Sequence, residues 1–531
     1  METGSKIQDC GWKTKAKARS LANKCLRKEL VRQKGRAEFW RSQSFSQKRQ
    51  LAEQAATIAA LTLRINDLEA GRSVTSVGSG VSSVAVKGYN FLLSVMWLSV
   101  CLYKSGLSFR CVCSVLGFIK TFTGLNFAVP SYGTVRVWVQ KMGLHLLKNG
   151  GKIVSRGVEK REKWCLIVDE SYSLGKSQLL LILGVRLSRL QMNQPLRCTD
   201  VVPIVIKSQP TWKGEEIAVV LEEVVKKVTG DIVYGVADRG KNIVSGFQIA
   251  GIPHISDWAH FSANILEKCY VDDADFKTFN EKMGAFKKKR KQSQYTDYSP
   301  PKLSVKVRFM NYTPFLEWAK IMLLNFEQIP PEIAPELAFL KELKPFIEQM
   351  TALFEMRNKI GCLLRNEGIQ PKTQTKALDL LAILEKNRAT KDPYSPKVRA
   401  FMLGTKQYFD MAMPIYTQIY KQSEAQKPEK SNVAPSFEGL VASSEIIESI
   451  FGKLKHRSPK DPKRGFTAFT LIITLFCTDF SIKDTYKALS SVSMKELEKW
   501  KIKNLTLRHY TSFRNVFHNK SKKGKQKKQA V

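Results

Sequence analysis

Acid is what this chain is short of. It has 47 Asp and Glu against 86 Lys and Arg, a formal charge of +39 at pH 7 over 531 residues. So large a surplus repels itself and calls for a polyanionic partner. Nucleic acid comes first, because neutralising phosphates releases counterions and drives binding. Paired cysteines are missing too. The ten Cys are scattered, with no CxxC and no Cys/His cluster at zinc spacing. That excludes a zinc ribbon or finger and points to a reduced, intracellular protein. Long apolar runs are also absent. The segment YNFLLSVMWLSVCLY (89–103) covers about 15 residues, too short to cross a bilayer comfortably, and is expected to be a buried helix. The start, METGSKIQDCGWKTK, has no apolar core and does not read as a secretory signal. With no lipid-anchor motif either, a membrane partner is not expected.

What is present is the composition of a folded protein, 43% hydrophobic and 10% aromatic. Residues 1–70 form a basic region and a short helix. In the latter Leu51, Ile58 and Ile65 fall on one heptad position and Leu61 and Leu68 on another, a pattern for dimerisation or for packing on its own domain. Residues 71–88, GRSVTSVGSGVSSVAVKG, read as a linker.

Residues 89–160 read as a helical, helix-turn-helix-like DNA-binding domain. In PSYGTVRVWVQKMG, Ser131 can cap a helix and Gly143 can end it. Val135, Trp138, Val139 and Met142 make its apolar stripe, leaving Arg136, Gln140 and Lys141 off that stripe to meet DNA. LSFRCVCSVLGFI is the candidate supporting helix.

The stretch 161–270 carries the clearest pattern. WCLIVDE, SQLLLILGVRL and VVPIVIKSQ read as three strands. GEEIAVVLEEVVKKVTG is an amphipathic helix with Ile217, Val220, Leu221, Val224, Val225 and Val228 on one face. DIVYGVADRG is a fourth strand ending on Asp238; a helix, a fifth strand (PHISDW) and another helix follow. The order β-β-β-α-β-α-β-α resembles the ribonuclease H-like fold, a mixed five-stranded sheet with flanking helices. In that fold an acid on strand one and an acid ending strand four lie side by side; here they are Asp169 and Asp238.

A site holding two divalent ions needs further hard oxygen ligands. The candidate source is SSEIIESIFGKLKHRSPKDPKRGFT (443–467), a helix with Ile447, Ile450, Phe451 and Leu454 on its apolar face. Glu445 and Glu448 compete. Glu445 sits where the helix dipole alone favours an acid, Glu448 is deeper, and Glu448 is favoured. Glu336, Glu342 and Glu355 are weaker candidates, outside any matching string.

Together these strings resemble insertion-sequence transposases of the DDE type, over roughly 160–500. ESIFGKLK is similar to that family's E-x-x-F-G-x-x-K pattern, VADRG to the end of its strand four, and DWAHF (257–261) to its D-x-x-H element. The resemblance implies phosphoryl transfer to water and then to a DNA 3′-hydroxyl, with Asp169, Asp238 and Glu448 as catalytic and metal-binding residues. Two Mg²⁺ are implied, Mn²⁺ substituting. Arg239, Lys241 and Lys455 would position DNA, as would Lys288, Lys289 and Arg290 of the basic run FKKKRKQ. His260, Asp257 and Glu445 are auxiliary candidates; Asp257 is read first as a helix cap and His260 first as a structural residue.

The long gap between Asp238 and Glu448 departs from a minimal core, and 271–440 reads as an α-helical insertion. Residues 441–518 then return to the core and 519–531 form a basic tail. The expected partners are double-stranded DNA and a second copy of the chain, in a bacterial cytoplasm or nucleoid before a eukaryotic nucleus. A domesticated, inactive DNA-binding protein and a ribonuclease H-like nuclease that cuts without joining are the alternatives.

Overall fold

The computed structural model describes residues 86, 88–152, 162–175, 177–190, 194–290, 293–301, 309–310, 312–386, 395–425, 439–457 and 465–506. The basic N-terminal region with its heptads, nearly all of the 71–88 linker and the basic tail lie outside them. The described residues form one compact unit.

Three helices come first: α1 (Leu93–Lys104), α2 (Phe109–Thr123) and α3 (Tyr132–Asn149). Ser131 caps α3 as expected, accepting from the Thr134 N–H at 3.2 Å. Val135, Trp138, Val139 and Met142 are all buried. Gly143 does not end the helix, which runs on to Asn149. A Cβ there would stand 2.6 Å from the Leu471 carbonyl oxygen, so glycine serves a close crossing rather than a stop.

A five-stranded mixed sheet follows, built from β1 (Lys163–Leu174), β2 (Ser177–Arg186), β3 (Val201–Gln209), β4 (Asp231–Ala237) and β5 (His254–Ser256), in the order β3-β2-β1-β4-β5. β1 and β3 run antiparallel to β2; β4 is parallel to β1 and to β5. Between β3 and β4 lies α4 (Gly214–Lys227), between β4 and β5 lies α5 (Lys241–Ile249), and α6 (Trp258–Tyr270) follows β5. The strand and helix order matches the sequence pattern.

The local chemistry explains α4. Glu216 reaches back to the Lys213 N–H at 2.9 Å, and Lys226 and Lys227 occupy the last turn, complementing the helix dipole. Ile217, Val220, Leu221 and Val224 are buried, whereas Val225, assigned to the same face, is exposed.

Period-two alternation divides the sheet between two cores. Trp164, Leu166 and Val168 of β1 face α4 and α5, with Ile217, Leu221 and Phe247. Cys165 and Ile167 of β1, with Tyr234 and Val236 of β4, face the larger core that holds α1, α2 and α3.

After α6 the chain is helical: α7 (Ala274–Arg290), α8 (Thr313–Leu324), two single turns (Ala334–Leu337 and Phe339–Glu342), α9 (Lys344–Glu367), α10 (Pro371–Lys386) and α11 (Ser395–Ala425). It then returns through α12 (Glu445–Arg457), α13 (Ile472–Cys477), α14 (Ile482–Ser491) and α15 (Met494–Asn504). α13, α14 and α15 pack around α3. Among the described residues no helix is long and apolar enough to cross a membrane.

Candidate active site

Asp169 does not end its strand, since β1 runs on to Leu174 in its pairing with β2; the site grows instead from the point where the parallel pairing of β1 with β4 stops. Val168 pairs with Ala237 in the last step of the parallel ladder, which brings Asp169 and Asp238 to adjacent positions just beyond it. By alternation both follow Ile167 and Val236 onto the face of the larger core. Asp169 is 8% exposed. Asp238 turns its carboxylate back on its own loop, Oδ1 accepting from the Gly240 N–H at 2.9 Å. Such a turn holds the acid in one orientation.

Next to Asp169 the β1–β2 register slips between Asp169 and Tyr172, a bulge. Bulges re-aim side chains, and here the affected residue is Glu170, which the sequence pattern passed over. Its carboxyl is pushed up to about 7, by burial first and then by repulsion from Asp238 and Asp169. Its Oε2 is buried without a hydrogen-bond partner. Three carboxyl groups thus crowd one end of the sheet in a chain otherwise dominated by cations.

The helix α12 packs on β1, with Ile447, Ile450, Phe451 and Leu454 buried beneath it. Its N-terminus is fastened by Asp257, which is 1% exposed. Asp257 Oδ1 accepts from the His260 N–H at 2.9 Å, capping α6, while Oδ2 accepts from the Ser444 N–H at 2.5 Å and Oγ at 2.9 Å. The Asp257 N–H in turn donates to the Ala237 carbonyl at 2.8 Å. Two further ties hold the approach to α12. The Val441 N–H donates to the Tyr234 hydroxyl at 2.7 Å, and Ile369 and Leu440 exchange backbone hydrogen bonds at 2.8 and 3.0 Å. However long the helical stretch between them, Asp238 and the Glu445–Glu448 turn are therefore in fixed relation.

Glu445 and Glu448 have different partners. Glu445 Oε2 lies 3.1 Å from Arg365 Nη1 of α9. Burial raises its carboxyl, with Asp257 and Glu448 adding to the rise and Arg365 and Arg357 opposing it. Glu448 Oε1 lies 3.5 Å from His260 Nε2. Burial alone would lower the His260 imidazole, but Glu448, Asp257 and Asp238 together raise it. His260 thus feels both Asp238 and Glu448, while Glu445 is turned toward the helical stretch.

The cationic candidates divide. Arg239 is exposed, with its guanidinium 5.1 Å over the Phe261 ring. Lys241 is exposed at the start of α5, and Lys455 is exposed with its ammonium 4.9 Å over the Tyr172 ring. Arg239 and Lys241 follow Asp238 in the turn from β4 into α5, and Lys455 shares α12 with Glu448. Arg136 is exposed on α3 and Gln140 is half-buried. Lys141, expected to face DNA, is instead 7% exposed and donates to the Tyr89 hydroxyl at 2.6 Å. Lys288 is exposed, but Lys289 lies 2.6 Å from Glu336, and Arg290, which was expected to meet DNA, is folded onto the same carboxylate and over Tyr295. That engagement takes Glu336 out of contention as a third acid. Glu355, 3.5 Å from Lys320, is likewise engaged in the helical stretch.

Among the described residues, no three of His, Cys, Asp and Glu stand close enough to enclose one metal ion. The donors at this end of the sheet are hard: Asp169, Asp238 and the unpartnered oxygen of Glu170, with Glu448 reached through His260, which lies 3.5 Å from it and feels Asp238 as well. Carboxyl oxygens of this kind could hold Mg²⁺ or Mn²⁺ and not a soft metal. Comparison with known proteins gives no match, either to a protein-family model or to a curated protein sequence.

Proposed function

We propose that the chain is a metal-dependent enzyme of DNA phosphoryl transfer built on a ribonuclease H-like core, with α7–α11 inserted into that core. Within the class, the reading is a DDE transposase that cleaves the ends of a DNA element and joins them to a target. One observation carries it: Asp169 and Asp238 stand side by side where the parallel pairing of β1 and β4 stops, on the face where α12 brings Glu448. The strand order, the +39 charge and the ESIFGKLK string agree with it.

In this mechanism Asp169, Asp238 and Glu448 would hold the divalent cations. A divalent cation held by these residues would supply Lewis-acid activation of the attacking oxygen and charge stabilisation of the leaving one. Asp238 keeps its orientation through Gly240, and Asp257 sets the spacing between the strand ends and α12. Arg239, Lys241 and Lys455 draw the phosphate backbone to the acids, which otherwise repel it. His260 holds Glu448 in place when protonated, and Arg365 keeps Glu445 out of the site.

The test is incubation of the purified chain with a plasmid carrying the DNA that flanks its own gene, with Mg²⁺, with Mn²⁺ and with EDTA. Cleaved and joined ends that require the cation are expected. Cleavage without joining would make it a nuclease, and binding with no cleavage would make it a DNA-binding protein that retains only the fold.

A further inference from the structure

The helix α2 has two apolar faces, and the fold uses one of them. Val112 and Leu116 are buried, and the helix packs against α1 and α3. On the other side Cys111, Val115, Phe118 and Phe122 recur at i, i+4, i+7 and i+11. Phe118 is 72% exposed and Phe122 92% exposed, with Leu125 exposed just past the helix end. A 4-3-4 spacing is that of a seam between two helices, and it runs for roughly 16 Å.

Beside the stripe, past Arg110, runs a row of small residues, Ser114, Gly117 and Thr121, which leaves a shallow groove in the helix surface. Their hydroxyls are already satisfied within the helix. Ser114 Oγ donates to the Arg110 carbonyl at 3.2 Å and Thr121 Oγ1 to the Gly117 carbonyl at 3.1 Å. A Cβ on Gly117 would meet nothing within 4 Å. Aromatic knobs and a smooth hollow therefore sit side by side on one helix. That surface is complementary to itself, which is what a two-fold contact between identical chains requires.

We propose that this face of α2 is a homodimer interface, Phe118 and Phe122 of each copy packing into the Ser114–Gly117–Thr121 groove of the other. The exposed apolar side chains offer roughly 500 Å² per copy, so pairing removes roughly 1,000 Å² from water, the lower bound for a specific interface. The stripe itself carries no cation, and Arg110, which heads the row of small residues, is folded over the Tyr132 ring at 5.5 Å, so DNA is a poor occupant. The contact is apolar, and the two copies repel through their net charge. Added salt screens that repulsion and strengthens the dimer, whereas it weakens contacts to phosphate. The inference stands independently of the catalytic reading.

Sedimentation equilibrium of the full chain without DNA, at low and at high NaCl, tests it. A dimer that tightens with salt is expected. The double variant Phe118→Lys/Phe122→Lys and the single variant Gly117→Leu should each weaken it at least about tenfold (about 1.4 kcal/mol) with unchanged circular-dichroism melting. Gly117→Leu fills the groove while favouring the helix, so it keeps the test valid if the lysine variant fails to fold. A wild type that stays monomeric at about 50 µM in high salt overturns the proposal. So does a dimer that both variants leave intact, which would place self-association elsewhere, or variants that lose DNA binding and keep self-association.

Discussion

Asp169 and Asp238 owe their prominence to contrast. Each ends an apolar run in a chain poor in acid, and the parallel pairing of β1 with β4 makes them neighbours. That much was legible in the sequence. Glu170 was not, because a bulge is a property of two strands and leaves no mark in the pattern of one. Lys141 was misplaced for a similar reason. Its stripe position said polar face, but Tyr89, 52 residues earlier, closes over it. At this scale Asp257 offers a sharp test. Asp257→Asn keeps the shape but removes the charge that three donors meet. It should cost about 1–3 kcal/mol in chemical denaturation and lower DNA cleavage with DNA affinity unchanged. Equal stability in the two proteins would contradict the positioning role.

Lys227 gives a pH test. Its ammonium donates to the Leu147 and Ile204 carbonyls at 2.8 and 2.7 Å, and burial, with Lys152 adding, lowers it to about 8. An unfolded lysine keeps its proton to about 10.4. Between those values the unfolded state binds more protons, so stability rises with pH across that window; below pH 8 the full cost of the buried charge is present. Lys227→Met should flatten the rise by up to about 3 kcal/mol, measured by urea denaturation at pH 7.5 and 10.

At the scale of elements, periodicity was a good guide where an element buries one face and a poor one where a residue serves a neighbour. The stripe of α3 was legible; its length was not, because Gly143 answers to Leu471 and not to its own helix. Gly143→Val should therefore destabilise the protein by several kcal/mol, as overpacking against backbone does. Gly284, in the middle of α7 with open space at its Cβ position, should behave in the opposite way. Gly284→Ala is expected to stabilise by about 0.5–1 kcal/mol through helix propensity. Thermal melts of the two variants decide whether glycine marks close packing in one helix and mere tolerance in the other.

For the whole molecule, the charge is the dominant fact. A surplus of this size makes DNA affinity fall steeply with salt, by roughly 10³-fold or more between 50 and 200 mM if six or more phosphates are neutralised. A flat salt dependence would mean that the cations do not meet the backbone. The separation of Asp238 from Glu448 in sequence looks at first like a weakness of the site. Asp257, Tyr234 and the Ile369–Leu440 pairing remove it, since each bonds the returning chain to β4, to the residue after β5 or to the segment just past α9. Sequence alone could not reveal those ties, because every one joins segments far apart.

The most direct measurement is the rate of Mg²⁺-dependent cleavage of one DNA substrate by four proteins side by side: wild type, Asp238→Asn, Glu448→Gln and Glu445→Gln, each with its melting curve. Asp238→Asn and Glu448→Gln are expected to lose at least about a hundredfold in rate while melting like wild type, with Glu445→Gln within a few-fold of it. Wild type that binds the DNA but never cuts it, or acids that can be exchanged without loss of rate, would contradict the proposed site.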